Sequence, residues 1–264
     1  MKSTKISIIM SVYNGALYVK EAVVSILKQT YRDWELIIIN DASTDKTLEI
    51  LNDLATTDDR IKIITNAENI GLTKSLNRGL LECSGEFVAR MDADDVASSD
   101  RLEKQYDFMQ THLDVAVCGS QGIYIDHNGN KIGDKDLKLS SDDIKKKLLF
   151  NNQCIHSSLF FRKSIVDELG GYNEQFKTSQ DYELIVRIAK KYQVVNLKDR
   201  LIHWRVHPGS VSWASKKQEW DAIRVRWWAI TKYDYSKLKG LPNIFLRLGW
   251  LVFPQTLKRK RYIN

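Results

Sequence analysis

The first hundred residues alternate short apolar runs with stretches of helical spacing, and few folds accommodate that pattern. Ile6–Val12 is a near-continuous apolar run, and Ala16–Gln29 follows with Val19, Ala22, Val23, Ile26 and Leu27 at helical intervals. Glu35–Ile39 is a second run, Ile61–Ile64 a third and Glu86–Met91 a fourth. Helical segments through Leu48, Leu51 and Leu54, and then over Leu72–Leu81, separate them. Strands apolar on both faces, joined by helices, predict an α/β fold with a parallel sheet covered on each side. The chain has 264 residues, 43% apolar and 28% charged, with 3 prolines. That supplies a buried core and excludes collagen-like, low-complexity and disordered chains.

The alternation stops near residue 114. Val115–Ile125, the turn His127-Asn-Gly129-Asn130 and Lys131-Ile132 read as an antiparallel hairpin or an excursion from the sheet. Ser140–Phe150 reads as a helix opened by Ser140 or Ser141, Ser157–Phe161 as a strand, and Lys163–Leu169 and Ser179–Lys191 as helices. Val194–Asn196 and Leu201–Val206 are expected to close the sheet, with Trp213–Lys232 and Leu241–Leu257 helical.

Four features bear on location and partners. Lys2 and Lys5 precede an apolar run, but it ends at Tyr13-Asn14-Gly15 without a small-residue cleavage site, so a buried strand is expected rather than a signal peptide. No apolar stretch approaches the roughly 18 residues that cross a bilayer. Cys83, Cys118 and Cys154 are odd in number and widely spaced, which predicts free thiols in a reducing cytoplasm. The net charge of +7 is uneven: residues 216–264 carry 12 Lys and Arg against 3 Asp and Glu, and the remainder 28 against 30. The basic character belongs to the C-terminal helices, so nucleic acid is not an expected partner of the body.

A parallel sheet binds ligands beyond the carboxyl ends of its strands. Strand one ends in Ser11-Val12-Tyr13-Asn14, strand two in Asn40-Asp41 and strand four in Asp92-Ala93-Asp94-Asp95, so three polar clusters should share one rim. Neither GxGxxG nor GxxxxGK[ST] is present. Asp92 and Asp94, two apart on an extended chain, can face one hard cation, Mg2+ or Mn2+, or form an acidic surface turn. Asp41 can accept the N3–H of a uracil or turn the chain into a helix. Asp181 lies in the first turn of a helix, where the macrodipole favours a carboxylate and where it can also serve as a general base. Arg205 and His207 leave a strand into a Pro/Gly loop, suited to diphosphate or metal contact, and His156 precedes another strand.

Taken together, these motifs resemble glycosyltransferase family 2, inverting nucleotide-sugar-dependent enzymes of GT-A (Rossmann-like) fold. The likeness runs from Ser7-Ile-Ile-Met-Ser-Val-Tyr-Asn14 and Ser25-Ile-Leu-Lys-Gln-Thr30 through Glu35–Asp45, Asn69-Ile-Gly71, Asn77-Arg-Gly79 and Gly85–Asp95. It continues more loosely in Gly170-Gly-Tyr-Asn173, Gln180-Asp-Tyr-Glu-Leu184 and Arg205–Ser212. It implies a catalytic domain over 1–213, with a nucleotide-binding part to 113 and an acceptor-binding part from 114, followed by a basic amphipathic tail over 214–264. Ser11, Val12, Tyr13, Asn14, Asp41, Lys74, Asp92 and Ala93 are implied as nucleotide contacts. Asp94, Asp92 and His207 are implied as holders of a divalent metal, with Asp94 the direct ligand, and Asp181 as the catalytic base. His156, Gly171, Tyr172, Gln180 and Arg205 are implied on the acceptor side. The family often has Glu-Asp where this chain has Gln180-Asp181.

The implied reaction moves a sugar from a nucleotide-sugar, a UDP-sugar first, to a saccharide or lipid-linked saccharide, as in bacterial polysaccharide assembly. Two other readings are a sugar-phosphate nucleotidyltransferase and a non-catalytic basic scaffold. The first should show a Gly-rich basic loop after strand one, where this chain has Val12-Tyr-Asn-Gly-Ala16. The second leaves Asp41, Asp92, Asp94 and Asp181 without a purpose. In the tail, Trp220, Trp227, Trp228, Phe245 and Trp250 mix with Arg224, Arg226 and Lys258-Arg-Lys-Arg261. That mixture suits the anionic inner face of a cell membrane, with the domain itself or a second copy of the chain as the alternative cover.

Overall fold

The computed structural model describes residues 5–207 and 216–252. Within those bounds, β1 (Ile6–Val12), α1 (Val19–Leu27), β2 (Trp34–Asn40), α2 (Thr47–Ala55), β3 (Ile61–Thr65), α3 (Leu72–Glu82) and β4 (Phe87–Asp92) form the expected alternation. The strand order β3-β2-β1-β4 is parallel throughout. Every residue of β1 and β2 is buried, as a strand covered on both faces requires. Alternate side chains divide between two cores. Ile8, Met10, Leu36, Ile38 and Ala89 meet α1 and α2, while Ile9, Ile37, Ile39 and Val88 meet α3 and the C-terminal half.

Beyond β4 the sheet changes direction. A two-residue strand β5 (Val96–Ala97) and α4 (Arg101–Thr111) lead to β6 (Val115–Ile125), which pairs with β7 (Lys131–Lys135) as the expected hairpin. Then come α5 (Ser141–Leu148), a 3-10 turn over His156–Ser158, β8 (Phe160–Arg162), α6 (Lys163–Glu168), α7 (Gln180–Lys191) and β9 (Gln193–Arg205). The order continues β4-β8-β6-β9-β5; β8 is antiparallel to β4 and β6, and β6 is parallel to β9. Two sequence readings change. Residues 157–158 turn rather than extend, and the two closing strands are one, with its irregularity absorbed in pairing with β6. Ser140 caps α5 by accepting the Asp143 N–H at 3.2 Å.

The C-terminal helices α8 (Lys216–Thr231) and α9 (Lys237–Val252) are less of an appendage than their charge suggests. Val225 and Ala229 of α8 join the main core, and buried Arg226 donates to the Leu149 and Phe150 carbonyls at 2.9 and 2.7 Å. α9 rests on α8 through Ile223, Ile230 and Ile244. The segment Pro208–Ser215 and the basic cluster Lys258–Arg261 lie outside the described residues.

At the end of the sheet opposite the polar rim, Glu35 is buried inside what looks like an apolar run. Its Oε1 accepts from the Ser7 and Ser84 hydroxyls at 2.7 and 2.6 Å and from the Ser84 N–H at 2.8 Å, and its Oε2 from Lys62 Nζ at 2.7 Å. Burial pushes the Glu35 carboxyl up, but these donors outweigh it and hold it at about 2, against an ordinary 4.5. Glu35→Ala, which strands the buried Ser7 hydroxyl and removes the contacts of the exposed Ser84 and Lys62, should lower the unfolding free energy by about 2 kcal/mol in urea titrations. Because the folded value is depressed, the carboxylate's contribution is complete above pH 4.5 and fades toward pH 2. The acid-induced loss of stability should therefore be smaller in Glu35→Gln than in the unaltered chain.

Candidate active site

The carboxyl ends of β1, β2 and β4 open on a cleft of about 1010 Å³. Of the sequence-predicted residues, Ser11, Val12, Tyr13, Asn14, Asp41, Asp92, Ala93, Asp94 and His207 all line it. A smaller hollow of about 260 Å³ adjoins it and is lined by His156, Ser157, Gln180 and Asp181. Leu72, Asp92, Asp94 and Thr178 line both, so the acidic turn after β4 stands where the two spaces meet.

Each loop is fixed locally. Asp41 Oδ1 accepts from Asn66 Nδ2 at 2.7 Å and the Ile70 N–H at 2.9 Å, and its Oδ2 accepts the Gly71 N–H at 2.9 Å. A carboxylate has about four lone-pair sites, so these three donors leave room for one more at a residue that lines the cleft. It is Asp45, not Asp41, that starts α2, accepting the Thr47 N–H at 3.0 Å. Asn14 Oδ1 accepts the Thr44 N–H at 2.8 Å and ties the β1 exit to the β2 exit. Asn14, Ala42 and Ser179 adopt left-handed backbone (φ 51°, 57° and 57°), so strain gathers at this rim.

The three carboxylates of Asp92, Asp94 and Asp95 bring oxygens within 4.8 Å of one another. They are not equivalent. Asp92 forms an ion pair with the fully buried Arg90 and accepts from the Ser157 hydroxyl at 2.6 Å. Burial would raise its carboxyl, and the Arg90 charge together with the hydrogen bonds from Ser157 and Arg90 brings it below the ordinary value. Asp95 accepts the Arg205 N–H at 2.8 Å and also meets the Ser157 hydroxyl. Burial, then the charges of Asp94 and Asp92, push Asp95 well above the usual carboxylate range. Among the described residues the Asp94 carboxylate hydrogen-bonds with His207 alone, whose Nε2 lies 3.1 Å from Oδ2 and whose ring tilts against Tyr18 at 5.0 Å. A hard oxygen set with one comparatively free carboxylate and a nearby imidazole fits a divalent cation, with Asp94 the donor best placed to hold it.

In the smaller hollow, Asn152 Nδ2 donates to Asp181 Oδ2 at 2.8 Å. Burial raises the Asp181 carboxyl above its ordinary value, against the Tyr182 N–H and the positive charge of Arg90. A carboxylate made more basic in this way suits proton abstraction. His156 Nε2 sits 3.1 Å from the Tyr172 hydroxyl, and burial, aided by Arg90, lowers its pKa well below the ordinary imidazole value. It is a neutral polar group facing the hollow.

Four predicted residues sit elsewhere. Lys74 is exposed on α3 and is not among the residues lining the cleft. Tyr172 is buried and reaches the site only through His156. Gly171 (φ 72°) borders a separate hollow, where a Cβ would lie 2.8 Å from Asn77 Oδ1; it is glycine for packing. Arg205 is buried below the acidic turn, donating from Nε to the Asp94 carbonyl at 2.8 Å and from Nη1 to the Asp126 carbonyl at 3.0 Å, and pairing with Glu21 at 2.5 Å. It is fully engaged with protein and holds the turn rather than facing the hollow. Sequence reasoning missed Asn152, His127, Lys177 and Thr178. No local signal marks them, whereas Asn69 and Gly71 of the cleft stood in a matched motif without a role.

The architecture and the acidic rim define a GT-A glycosyltransferase. The sequence profile described as Glycosyl transferase family 2 matches residues 7–170. The chain is 37% identical over 207 residues to the O-antigen biosynthesis glycosyltransferase WbnJ of Escherichia coli, covering 76% of this chain and 80% of that protein. It is 31% identical over 221 residues to the amylovoran biosynthesis glycosyltransferase AmsE of Erwinia amylovora, covering 83% and 81%. Among solved structures, S. aureus TarS residues 1–349 with UDP superimposes at a TM-score of 0.72 with 21% identity, covering 96% of this chain and 73% of that one. Mannosyltransferase PcManGT of Pyrobaculum calidifontis, solved with GDP-Man and Mn2+, gives 0.70 with 18% identity, covering 98% and 72%. The chain belongs to glycosyltransferase family 2 and is a glycosyltransferase of GT-A fold.

The contrast between Arg205 and Asp94 is testable. Arg205→Met, which takes the donor from the Asp94 and Asp126 carbonyls and frees the turn, should cost about 3 kcal/mol of unfolding free energy. Asp94→Ala should stay within about 0.5 kcal/mol of the unaltered chain by the same urea titration.

Proposed function

We propose that this enzyme transfers a sugar, with inversion, from a nucleotide-sugar to a saccharide or lipid-linked saccharide in polysaccharide assembly. The observation that carries the reading is the meeting of two spaces at Asp92 and Asp94, one bearing the polar strand ends and the other bearing Asp181. The larger, built by the first 113 residues with contributions from His127, Lys177, Thr178 and His207, suits the nucleotide. The smaller, built mostly by 114–213, suits the acceptor. Neighbours of the same fold were solved with UDP, UDP-GlcNAc or GDP-Man, which supports a nucleoside diphosphate sugar; UDP is the first choice because Asp41 matches a uracil N3–H. WbnJ and AmsE are named for O-antigen and amylovoran biosynthesis, which supports a bacterial surface saccharide as product.

In this reading Asp181 accepts the proton of an acceptor hydroxyl as its oxygen attacks the anomeric carbon. The bond from that carbon to the diphosphate breaks with its electron pair left on the diphosphate, and the configuration inverts. Neutral His156 and Gln180 orient the acceptor hydroxyls. Asp94, with Asp92 and His207, would hold Mn2+ or Mg2+, whose charge stabilises the departing diphosphate.

The tail completes the reading. No described helix is long and apolar enough to cross a membrane. α9 exposes Leu238 (90%), Phe245 (68%) and Leu246 beside Lys237 and Lys239, a face suited to the anionic cytoplasmic leaflet where lipid-linked acceptors are held.

Two experiments test these proposals. Asp181→Asn should cut transfer at least a thousandfold while calorimetry still shows UDP binding with Mn2+; retained transfer removes Asp181 from the role of base. Phe245→Glu with Leu246→Glu should abolish cosedimentation with phosphatidylglycerol vesicles without changing solution turnover. Unchanged vesicle binding, or a dimer that the double variant dissolves, rejects the membrane assignment.

A further inference from the structure

The larger cleft carries three carboxylates, Asp41, Asp92 and Asp94, and is proposed to receive a diphosphate. Only one lysine or arginine lines it among the described residues, and that residue is Lys177. Its side chain is exposed and makes no hydrogen bond or ion pair among the described residues. The other basic candidates are committed or displaced. Arg90 is paired with Asp92, Arg205 with Glu21 and the Asp94 carbonyl, and Lys74 lies off the cleft.

The backbone around Lys177 is held on both sides. Before it, the Phe176 carbonyl accepts from Thr73 Oγ1 at 2.7 Å, and the buried Phe176 ring meets Trp228 edge-on at 5.0 Å with Arg224 4.7 Å from its centre. After it, the Thr178 N–H and hydroxyl both donate to Asp221 Oδ2 of α8, at 3.2 and 2.7 Å. Residues 178–181 then continue into the smaller hollow and reach Asp181. A long, unengaged cation on a fixed loop, aimed into an acidic cleft, loses less entropy on meeting an anion than one on a free loop.

We propose that Lys177 binds the diphosphate of the donor, and that Asp221 of α8 is a positioning residue that holds Lys177 in place. This rests on the nucleotide-sugar reading above. It also gives the C-terminal helix a part in the donor site: α8 fixes the one segment that passes from the diphosphate region to the base.

Calorimetric titration of UDP, and of uridine by competition, into the purified full chain tests the assignment with Mn2+ and again with EDTA. Lys177→Ala should weaken UDP binding about tenfold under both conditions and leave uridine within twofold, while Lys177→Arg stays within threefold for both. Asp221→Ala should weaken UDP about threefold with uridine unchanged, and Asp221→Asn, which keeps an acceptor for Thr178, should restore it. Unchanged UDP affinity in Lys177→Ala overturns the proposal, as does an equal loss for UDP and uridine. Should the unaltered chain bind none of UDP, GDP and dTDP, the donor reading itself fails and takes this inference with it, an outcome distinct from a variant that binds normally.

Discussion

The candidate site hangs on one buried guanidinium. Arg205, at the end of β9, binds the acidic turn after β4 through the Asp94 carbonyl and, by its own N–H, through Asp95 Oδ1. It also reaches Glu21 on α1 and the Asp126 carbonyl at the β6–β7 turn. Four parts of the chain that are far apart in sequence thus meet at one side chain that is 1% exposed. A bidentate, always-charged group is the side chain suited to such a junction, and lysine could not span it. Asp94 is left with its carboxylate toward the cleft because Arg205 and Ser157 have taken up its neighbour Asp95.

The same economy governs the acidic cluster as a whole. Three carboxylates this close cannot all be charged without compensation, and the chain supplies it unequally. Arg90 keeps Asp92 ionised, crowding and burial push Asp95 toward its neutral form, and Asp94 remains for external chemistry. Asp181, in the adjoining hollow, feels the same Arg90 charge and still titrates high because burial dominates. One buried arginine therefore bears on both spaces of the candidate site.

Much of this was legible in the sequence, and the reasons are physical. A strand buried on both faces writes itself as an apolar run, so β1, β2 and β4 and the polar residues at their exits could be located directly. Contacts made by folding the second half back were not legible. Arg205 has the composition of a ligand-binding residue and serves as a junction, because its partners Glu21, Asp94 and Asp126 are set by tertiary packing. Gly171 and Tyr172 stand in a matched motif but answer to packing against Asn77 and His156. Asn152 and Lys177 carry no periodic or motif signal. The basic charge of residues 216–264 suggested a tail outside the domain, yet Val225, Ala229 and Arg226 are core residues, since net charge says nothing about which face of a helix is buried.

The proposed in-line displacement with Asp181 as base inverts the anomeric carbon, and the configuration of the product reports on it directly. Incubation of the enzyme with a panel of nucleotide-sugars and saccharide acceptors, followed by proton NMR of the new glycosidic linkage, reads that configuration from the anomeric coupling constant. A product inverted relative to the donor is expected from that displacement. A product that retains the donor configuration would contradict it, because retention requires a different displacement chemistry from the one Asp181 is placed to perform.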